Sequence, residues 1–152
     1  MSIGREPIPN IDDFSRDRAR IEHIVCNSSI IPDYRKQEIA AETITDLIVN
    51  KHPLNKLWRN EQGEITGFMF FQDSAPDELY IKSFLTDESG IEEGILTFVP
   101  DLISRSKELG YKKIHFHGIN YKLNRVMTRF NFKPCQENEN PFLVGHHLEL
   151  IL

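Results

Sequence analysis

The feature that most constrains how this chain folds is a strongly apolar run, Ile65–Gln72, that lies between two turn sequences. Asn60–Gly63 predicts a hairpin turn before the run, because its last residue is a glycine that can adopt a positive φ. Asp73–Asp77 predicts a second turn, since it combines Asp, Ser and Pro. The strand-like segments Lys56–Arg59 and Leu79–Leu85 flank these turns, so the sequence predicts a three-stranded antiparallel meander.

Helical periodicity precedes the meander. Apolar residues recur at helical spacing in two segments, which predicts a first helix ending near Asn27 and a second ending near Val49. Asp12 or Asp13 is the predicted N-cap of the first helix, and Asp33 is that of the second. The chain thus begins with two helices before its pattern changes to that of strands.

Helices and strands alternate after the meander. The connection from Leu79–Leu85 through a long helix to the next strand can make a parallel crossover. The predicted elements are a helix at Ile91–Leu109, a strand at Lys112–Ile119, a helix at Leu123–Phe130 and a strand at Phe142–Leu152. The fold class is therefore α/β with a mixed sheet.

Composition restricts the class of protein further. A chain of 152 residues with 39% hydrophobic content suits one domain over residues 1–152, with an extended arm over residues 1–10. The formal charge of −5 argues against nonspecific nucleic-acid binding. No apolar stretch is long enough to span a membrane, and the arm lacks the apolar core of a signal peptide. Cys26 and Cys135 predict free thiols in a reducing compartment, so a cytoplasmic location is expected.

The segment Asn120–Phe132 resembles a motif of the GNAT superfamily of N-acyltransferases. Members of that family often carry an Asn after the fifth strand, a Tyr in the short helix that follows, and then a Gly-Phe pair. Counted from Asn120, the Tyr position falls on Met127 and the Gly-Phe pair falls on Asn131 and Phe132. Asn is a reasonable substitute for Gly, because it tolerates the left-handed backbone conformation better than most residues.

A second segment, Phe84–Gly94, resembles the end of the family's fourth strand and its pyrophosphate loop. The family pattern is Arg or Gln, two residues, Gly, one residue, then Gly or Ala, and these positions hold Ser89, Glu92 and Gly94. Gly90 stands where many members have a glycine after the Arg. Such a loop binds phosphates because a helix N-terminus exposes free N–H groups, and glycine allows the backbone to approach closely.

The resemblance implies a mostly antiparallel mixed sheet, flanked by helices, with a V-shaped splay between the family's fourth and fifth strands. Those strands correspond to Leu79–Leu85 and Lys112–Ile119. It also implies a transferase that passes an acyl group from acetyl-CoA or another acyl-CoA to an amine. The residues expected to contact the cofactor are Phe84, Leu85, Ser89, Gly90, Ile91, Gly94, Ile95 and Asn120.

Candidate bases for such a reaction lie beside the expected splay. The amine must lose a proton before it attacks, and His117 and Glu78 are the residues expected to take it. His115 lies on the same predicted strand face as His117, and neither has an evident carboxylate or thiol partner, so no metal site is expected. Met127 cannot protonate the leaving thiolate as the family's Tyr does.

Two functions of different classes remain open. The first is an active acyl-CoA-dependent N-acyltransferase. The second is a GNAT-fold protein that has lost catalysis and is a structural or binding component of an assembly such as a virus particle, located in the virion. Glu92, Glu93 and Met127 favour the second, because carboxylates in a first helical turn repel a pyrophosphate and a thioether donates no proton. The expected partner is another protein or a second copy of the chain, with no nucleic acid and no membrane.

Overall fold

The structure is a computed structural model that describes residues 11–89, 92–118, 121–135 and 146–152. The predicted arm over residues 1–10 lies outside these ranges. The described α-helices are α1 Ile11–Cys26, α2 Lys36–Val49, α3 Glu92–Glu108 and α4 Tyr121–Arg129. The described strands are β1 Lys56–Arg59, β2 Ile65–Ala75, β3 Glu78–Thr86, β4 Lys113–Gly118, β5 Lys133–Pro134 and β6 His146–Ile151.

The described strands form one six-stranded sheet in the order β1-β2-β3-β4-β6-β5. Neighbouring strands are antiparallel except β3 and β4, which are parallel and are joined by the crossover through α3. The predicted meander, the crossover and the α/β class are therefore confirmed.

The apolar run in β2 lies at the centre of the molecule because both of its faces are covered. Phe68 and Phe70 belong to a buried cluster beneath α1 and α2, here called the α1–α2 cluster. Met69 and Phe71 belong to a second cluster beneath α3 and α4, the α3–α4 cluster. A strand buried on both faces needs no polar alternation, which explains the continuous run. Burial of each such side chain contributes about 1.5–3 kcal/mol.

Several element boundaries differ from those predicted. Asp33 does not cap α2, because it begins a 3-10 turn that precedes the helix. Asp12 and Asp13 lie within α1 rather than before it. β2 continues to Ala75, so only the last two residues of Asp73–Asp77 form the turn. The two-residue strand β5 is not predicted by the sequence.

The chain reverses after α4 through a left-handed residue. Asn131 has a φ of 73°, and it is the only non-glycine residue with a positive φ in the described part of the chain. The N–H of Phe132 donates to the carbonyl of Met127 at 3.2 Å, which closes the helix end. Phe132 then packs edge-on against Phe116, with ring centroids 5.7 Å apart. The expected role of Asn131 as a substitute for glycine is confirmed.

Candidate functional site

The parallel strands β3 and β4 part from each other along their length. They pair over only four positions, the last of which joins Ile81 to Phe116. β3 then continues to Thr86 and β4 to Gly118 with no further pairing between them. The sheet therefore opens between these two strands, and this opening is the predicted splay.

A β-bulge in β3 lies at the point where the splay begins. Phe71 of β2 pairs with Ile81, and the preceding Phe70 pairs with Ser83, so Lys82 is an extra residue in the ladder. A bulge bends its strand and increases the local twist. The remainder of β3 consequently stays paired with β2 while it leaves β4.

The bulge shifts the alternation of side chains along β3 by one residue, so even-numbered residues beyond it face the side that odd-numbered residues face before it. Phe84 packs against the α3–α4 cluster, whereas Leu85 belongs to the α1–α2 cluster and is 7% exposed. The side chains of Phe84 and Leu85, which were both expected to contact the cofactor, therefore pack in the two clusters. The edge of this segment that faces β4 has no strand partner among the described residues, so its N–H and C=O groups can bond a ligand.

Two buried polar atoms of the described chain have no hydrogen-bond partner, and both belong to residues on or against the separated strands. One is Ser83 Oγ, in the unpaired part of β3. The other is Oδ1 of Asn124 in α4, a residue that is 0% exposed and whose Nδ2 donates to the Gly118 carbonyl at 3.2 Å. A Cβ on Gly118 would lie 2.6 Å from the same Oδ1, so the amide lies directly against the end of β4. Such unpaired groups are rare in native structures and call for a partner.

Asp87 fixes the loop that follows β3. Its N–H donates to the Thr66 carbonyl at 2.8 Å, and its carboxylate accepts hydrogen bonds from the N–H of Ser89, at 3.0 Å, and from the Ser89 hydroxyl. The same carboxylate forms a salt bridge of 2.7 Å with Arg20 of α1, where the two side chains are 6% and 19% exposed. This charge-assisted contact holds the loop on α1, and Ser89 contributes its polar groups to the loop itself.

Acidic side chains lie beside the start of α3. Glu88 is exposed and contacts His23 of α1 at 3.0 Å. A hydrogen bond from its own backbone N–H, followed by that from His23, lowers the pKa of the Glu88 carboxyl. Glu93 is exposed in the first turn of α3. These charges suit a helix N-terminus, but they oppose a phosphate in the same place.

Trp58 of the edge strand β1 packs against the first turn of α3. A Cβ on Gly94 would lie 2.8 Å from the Trp58 Nε1, so this approach requires glycine. The indole also meets Phe84 and Phe98 edge-on, with ring centroids 6.3 and 5.5 Å away. An open groove of about 470 Å³ runs beside Trp58 between β1 and α3, apart from the splay.

The other predicted cofactor contacts are not brought together by the described part of the structure. Ile95 is 6% exposed in the α3–α4 cluster, so its side chain faces the core. Gly90, Ile91 and Asn120 lie outside the described residues.

The two predicted bases stand at opposite ends of the β3–β4 pair. His117 is exposed, one residue beyond the last pair with β3, and its ring centroid is 6.4 Å from that of His147 in β6. Glu78 begins the paired segment and forms a salt bridge of 2.8 Å with Lys113. The hydrogen bond from Lys113 lowers the pKa of the Glu78 carboxyl, which makes it a weaker base. His117 is thus at the mouth of the splay and Glu78 at its closed end.

Met127, at the position of the family's Tyr, is 0% exposed within the α3–α4 cluster. Its thioether packs against other apolar side chains and has no proton to donate. The fold therefore uses this position for packing.

Sequence reasoning missed Trp58, Ser83 and Asn124. The sequence does indicate a packing role for Trp58. It is the chain's single tryptophan and lies in a short predicted strand, where a large ring needs a packing partner. No sequence pattern indicates Ser83 or Asn124, because the bulge and the helix packing that bury them arise only in the tertiary structure.

Metal and membrane sites are not found in the described ranges. No group of three or more His, Cys, Asp or Glu side chains among those residues is arranged to hold a metal ion. None of the described helices combines the length and the apolarity needed to cross a bilayer. Cys26 and Cys135 are both exposed thiols.

No family model matches the sequence, and no curated protein is significantly similar to it. Solved structures, however, match nearly the whole chain. An N-acetyltransferase from Staphylococcus aureus Mu50 is 20% identical with a TM-score of 0.60, over 95% of this chain and 96% of that one. A ribosomal-protein-alanine N-acetyltransferase from Brucella melitensis is 16% identical with a TM-score of 0.62, over 96% and 98%. The yncA protein from Salmonella typhimurium, solved with its cofactor acetyl-CoA, is 16% identical with a TM-score of 0.55, over 95% and 91%.

The order of elements, the bulge and the splayed parallel pair define an α/β protein with a cleft through its sheet. The chain has the GNAT fold. At these identities the likeness establishes the fold alone. Neither the structure nor the comparisons support the alternative of a structural component of a virus particle.

Proposed function

We propose that the chain is an N-acyltransferase that binds an acyl-CoA in the splay and passes its acyl group to an amine. The observation that carries this proposal is the end of β3–β4 pairing at the bulge, which leaves a strand edge along a cleft. The free N–H and C=O groups of that edge support it, because the pantetheine arm of CoA carries amide N–H and C=O groups that can pair with them. The likeness to yncA, solved with acetyl-CoA, supports the choice of cofactor.

The proposed contacts fall into two groups. Those along the pantetheine arm are Phe84, Leu85 and Asn120, and those at the pyrophosphate are Ser89, Gly90, Ile91, Gly94 and Ile95. Phe84, Leu85 and Ile95 would act through their backbone groups, because their side chains pack in the two clusters. The N-terminus of α3 contributes its free N–H groups to the second set.

His117 is the proposed base. An amine must lose a proton to attack a thioester, and an exposed imidazole at the mouth of the splay can accept it. Glu78 is the weaker candidate, because Lys113 holds its carboxylate at the closed end. Acyl-CoA supplies the thioester when it is bound. Met127 offers no proton to the leaving group, which predicts a slow enzyme.

Calorimetric titration with acetyl-CoA tests the cofactor. A dissociation constant in the micromolar to millimolar range is expected, since Glu88 and Glu93 weaken phosphate binding. A folded protein that gives no binding heat at millimolar acetyl-CoA would contradict the proposal.

An assay of thiol release from acetyl-CoA, run over a set of amines, tests the choice of base. His117→Gln should lower kcat about 100- to 10,000-fold, the usual range for a general base. Glu78→Gln is the matched control, and it should leave kcat nearly unchanged. A large loss of kcat in Glu78→Gln, with little change in His117→Gln, would instead identify Glu78 as the base.

A further inference from the structure

A second polar cluster lies at the closed end of the β3–β4 pair, on the sheet face opposite α3 and α4. Ser74 Oγ lies 2.6 Å from His115 Nε2, and His115 Nδ1 lies 2.7 Å from His147 Nε2. Both are hydrogen-bond distances. The three side chains come from β2, β4 and β6, so only the folded sheet brings them together.

Ser74 reaches His115 because of a bulge at the end of β2. Asp73 and Ala75 both pair with β3, but the residue between them is skipped, so Ser74 is the extra residue. A bulge re-aims the side chain of the residue that leaves the ladder. Ser74 is exposed, so its hydroxyl is accessible to a small molecule from solution.

Tyr80 packs beside both histidines. Its ring centroid is 5.0 Å from that of His115, and it stacks on His147 at 6.5 Å with an interplanar angle of 12°. Both imidazoles are half-buried. A half-buried ring with an aromatic neighbour is restricted in rotation, so the hydrogen-bonded row is held in place.

We propose that Ser74 is an activated nucleophile that takes the acyl group of small carboxylic esters, with His115 as its base and His147 as the residue that positions His115. The arrangement uses the same imidazole atoms as a serine hydrolase triad: Nε2 faces the serine and Nδ1 faces the orienting group. When His115 accepts the Ser74 proton at Nε2, its own proton stays on Nδ1. That N–H donates a hydrogen bond to His147 Nε2. The site does not depend on acyl-CoA binding, because His115 lies within the paired part of β4 and not in the splay.

The proposed reaction is a two-step ester hydrolysis. Ser74 Oγ attacks the ester carbonyl carbon and forms a C–O bond, while its proton passes to His115 Nε2. The bond to the alcohol oxygen then breaks, and that oxygen takes the proton from His115. Water attacks the acyl-Ser74 with the same proton transfers, so one ester and one water give one acid and one alcohol.

The electrostatic surroundings keep His115 in its neutral, basic form. Burial lowers the pKa of His115, and the charge of Lys113 acts in the same direction. His147 would add to this effect only when protonated, and the proposed row uses its neutral form, whose Nε2 accepts from His115 Nδ1. Glu78 and Glu149 oppose this lowering more weakly. A neutral imidazole is therefore present near pH 7 and can accept the serine proton.

A fluorophosphonate probe tests the proposal, because it captures activated serines covalently. The exposed thiols of Cys26 and Cys135 are removed beforehand by substitution to serine in the test protein. We expect one adduct per chain at neutral pH, mapped by peptide mass spectrometry to Ser74. Ser74→Ala should abolish the adduct, whereas Ser29→Ala, which removes an exposed serine after α1, should leave it unchanged.

The role of each histidine has its own readout. His115→Gln should slow labelling about 100-fold or more, since the base is lost. His147→Gln should slow it less. His147→Glu should retain labelling but move its pH dependence upward, because a carboxylate stabilises protonated His115. If His147 only packed beside His115, His147→Gln would leave the labelling rate of Ser74 at the wild-type value.

Two results would overturn the proposal. One is a folded protein in which the probe labels Ser74 no faster than Ser29. The other is labelling of Ser74 that does not change in His115→Gln.

Discussion

Replacing Glu93 with glutamine should tighten acetyl-CoA binding, because it removes a negative charge from the first turn of α3. Glu93 is exposed, so water screens its charge and the effective dielectric constant is close to that of bulk solvent. A phosphate at the helix N-terminus would lie about 6 Å from this carboxylate, and a pyrophosphate carries about two charges, which gives ~1.4 kcal/mol. Screening at about 0.1 M salt reduces this to ~0.8 kcal/mol, so the dissociation constant should fall about fourfold.

Asp101 supplies the matched control on the same helix. It follows Glu93 by eight residues, which places it about 12 Å further along the helix axis. Asp101→Asn removes the same charge, but distance and screening leave only ~0.2 kcal/mol, or less than about a 1.5-fold change. Calorimetry gives both constants, and the fluorescence of Trp58, which packs against Gly94, gives an independent reading.

S-acetylpantetheine separates the charge effect from other causes. It keeps the arm proposed to lie in the splay but lacks the phosphates, so Glu93→Gln should leave its affinity unchanged. Raising the salt concentration should shrink the effect on acetyl-CoA. Equal changes for both ligands, or equal changes in the Glu93 and Asp101 variants, would mean that the charge of Glu93 does not act on the phosphates.

Three further predictions concern the stability of the fold. Gly94→Ala should cost about 1–3 kcal/mol in urea unfolding, because the new Cβ would lie 2.8 Å from the Trp58 indole, and it should cost less in a Trp58→Phe background. Burial and the hydrogen bond to Asp73 raise the pKa of Tyr111 from 10.0 to about 12, so this contact stabilises the fold below pH 10 and is lost as the pH rises through about 12. The stability difference between wild type and Tyr111→Phe should therefore shrink over that range, and a constant difference would contradict this. Asn131→Ala should cost about 1 kcal/mol in thermal unfolding, and Asn131→Gly should not, because only the former strains a φ of 73°.

The strands of the meander could be predicted because their signals are local. The run Ile65–Gln72 is apolar throughout, and it is bounded by turn residues such as Gly63, whose φ of 81° the sequence anticipates. The splay could be predicted only through the resemblance. Its physical cause is the extra residue Lys82, and no local pattern marks a bulge inside a continuous strand.

The side-chain contacts of both candidate sites could not be predicted from the sequence. Ser74 reads as a turn residue, because the bulge that aims it at His115 depends on how β2 pairs with β3. In the sequence, His147 is one of two adjacent histidines in the last predicted strand. Only the pairing of β4 with β6 brings it to His115. Asn124 is similar, since its burial against Gly118 follows from how α4 packs on the sheet.

Binding of acyl-CoA along the β3 edge beyond the bulge can be followed residue by residue by backbone amide NMR. A titration of ¹⁵N-labelled protein with acetyl-CoA should shift the amide signals of Lys82, Ser83, Phe84 and Leu85, while those of the paired residues Leu79 and Tyr80 move much less. Shifts confined to the groove beside Trp58, or no shifts at millimolar acetyl-CoA, would mean that acyl-CoA does not bind along the β3 edge.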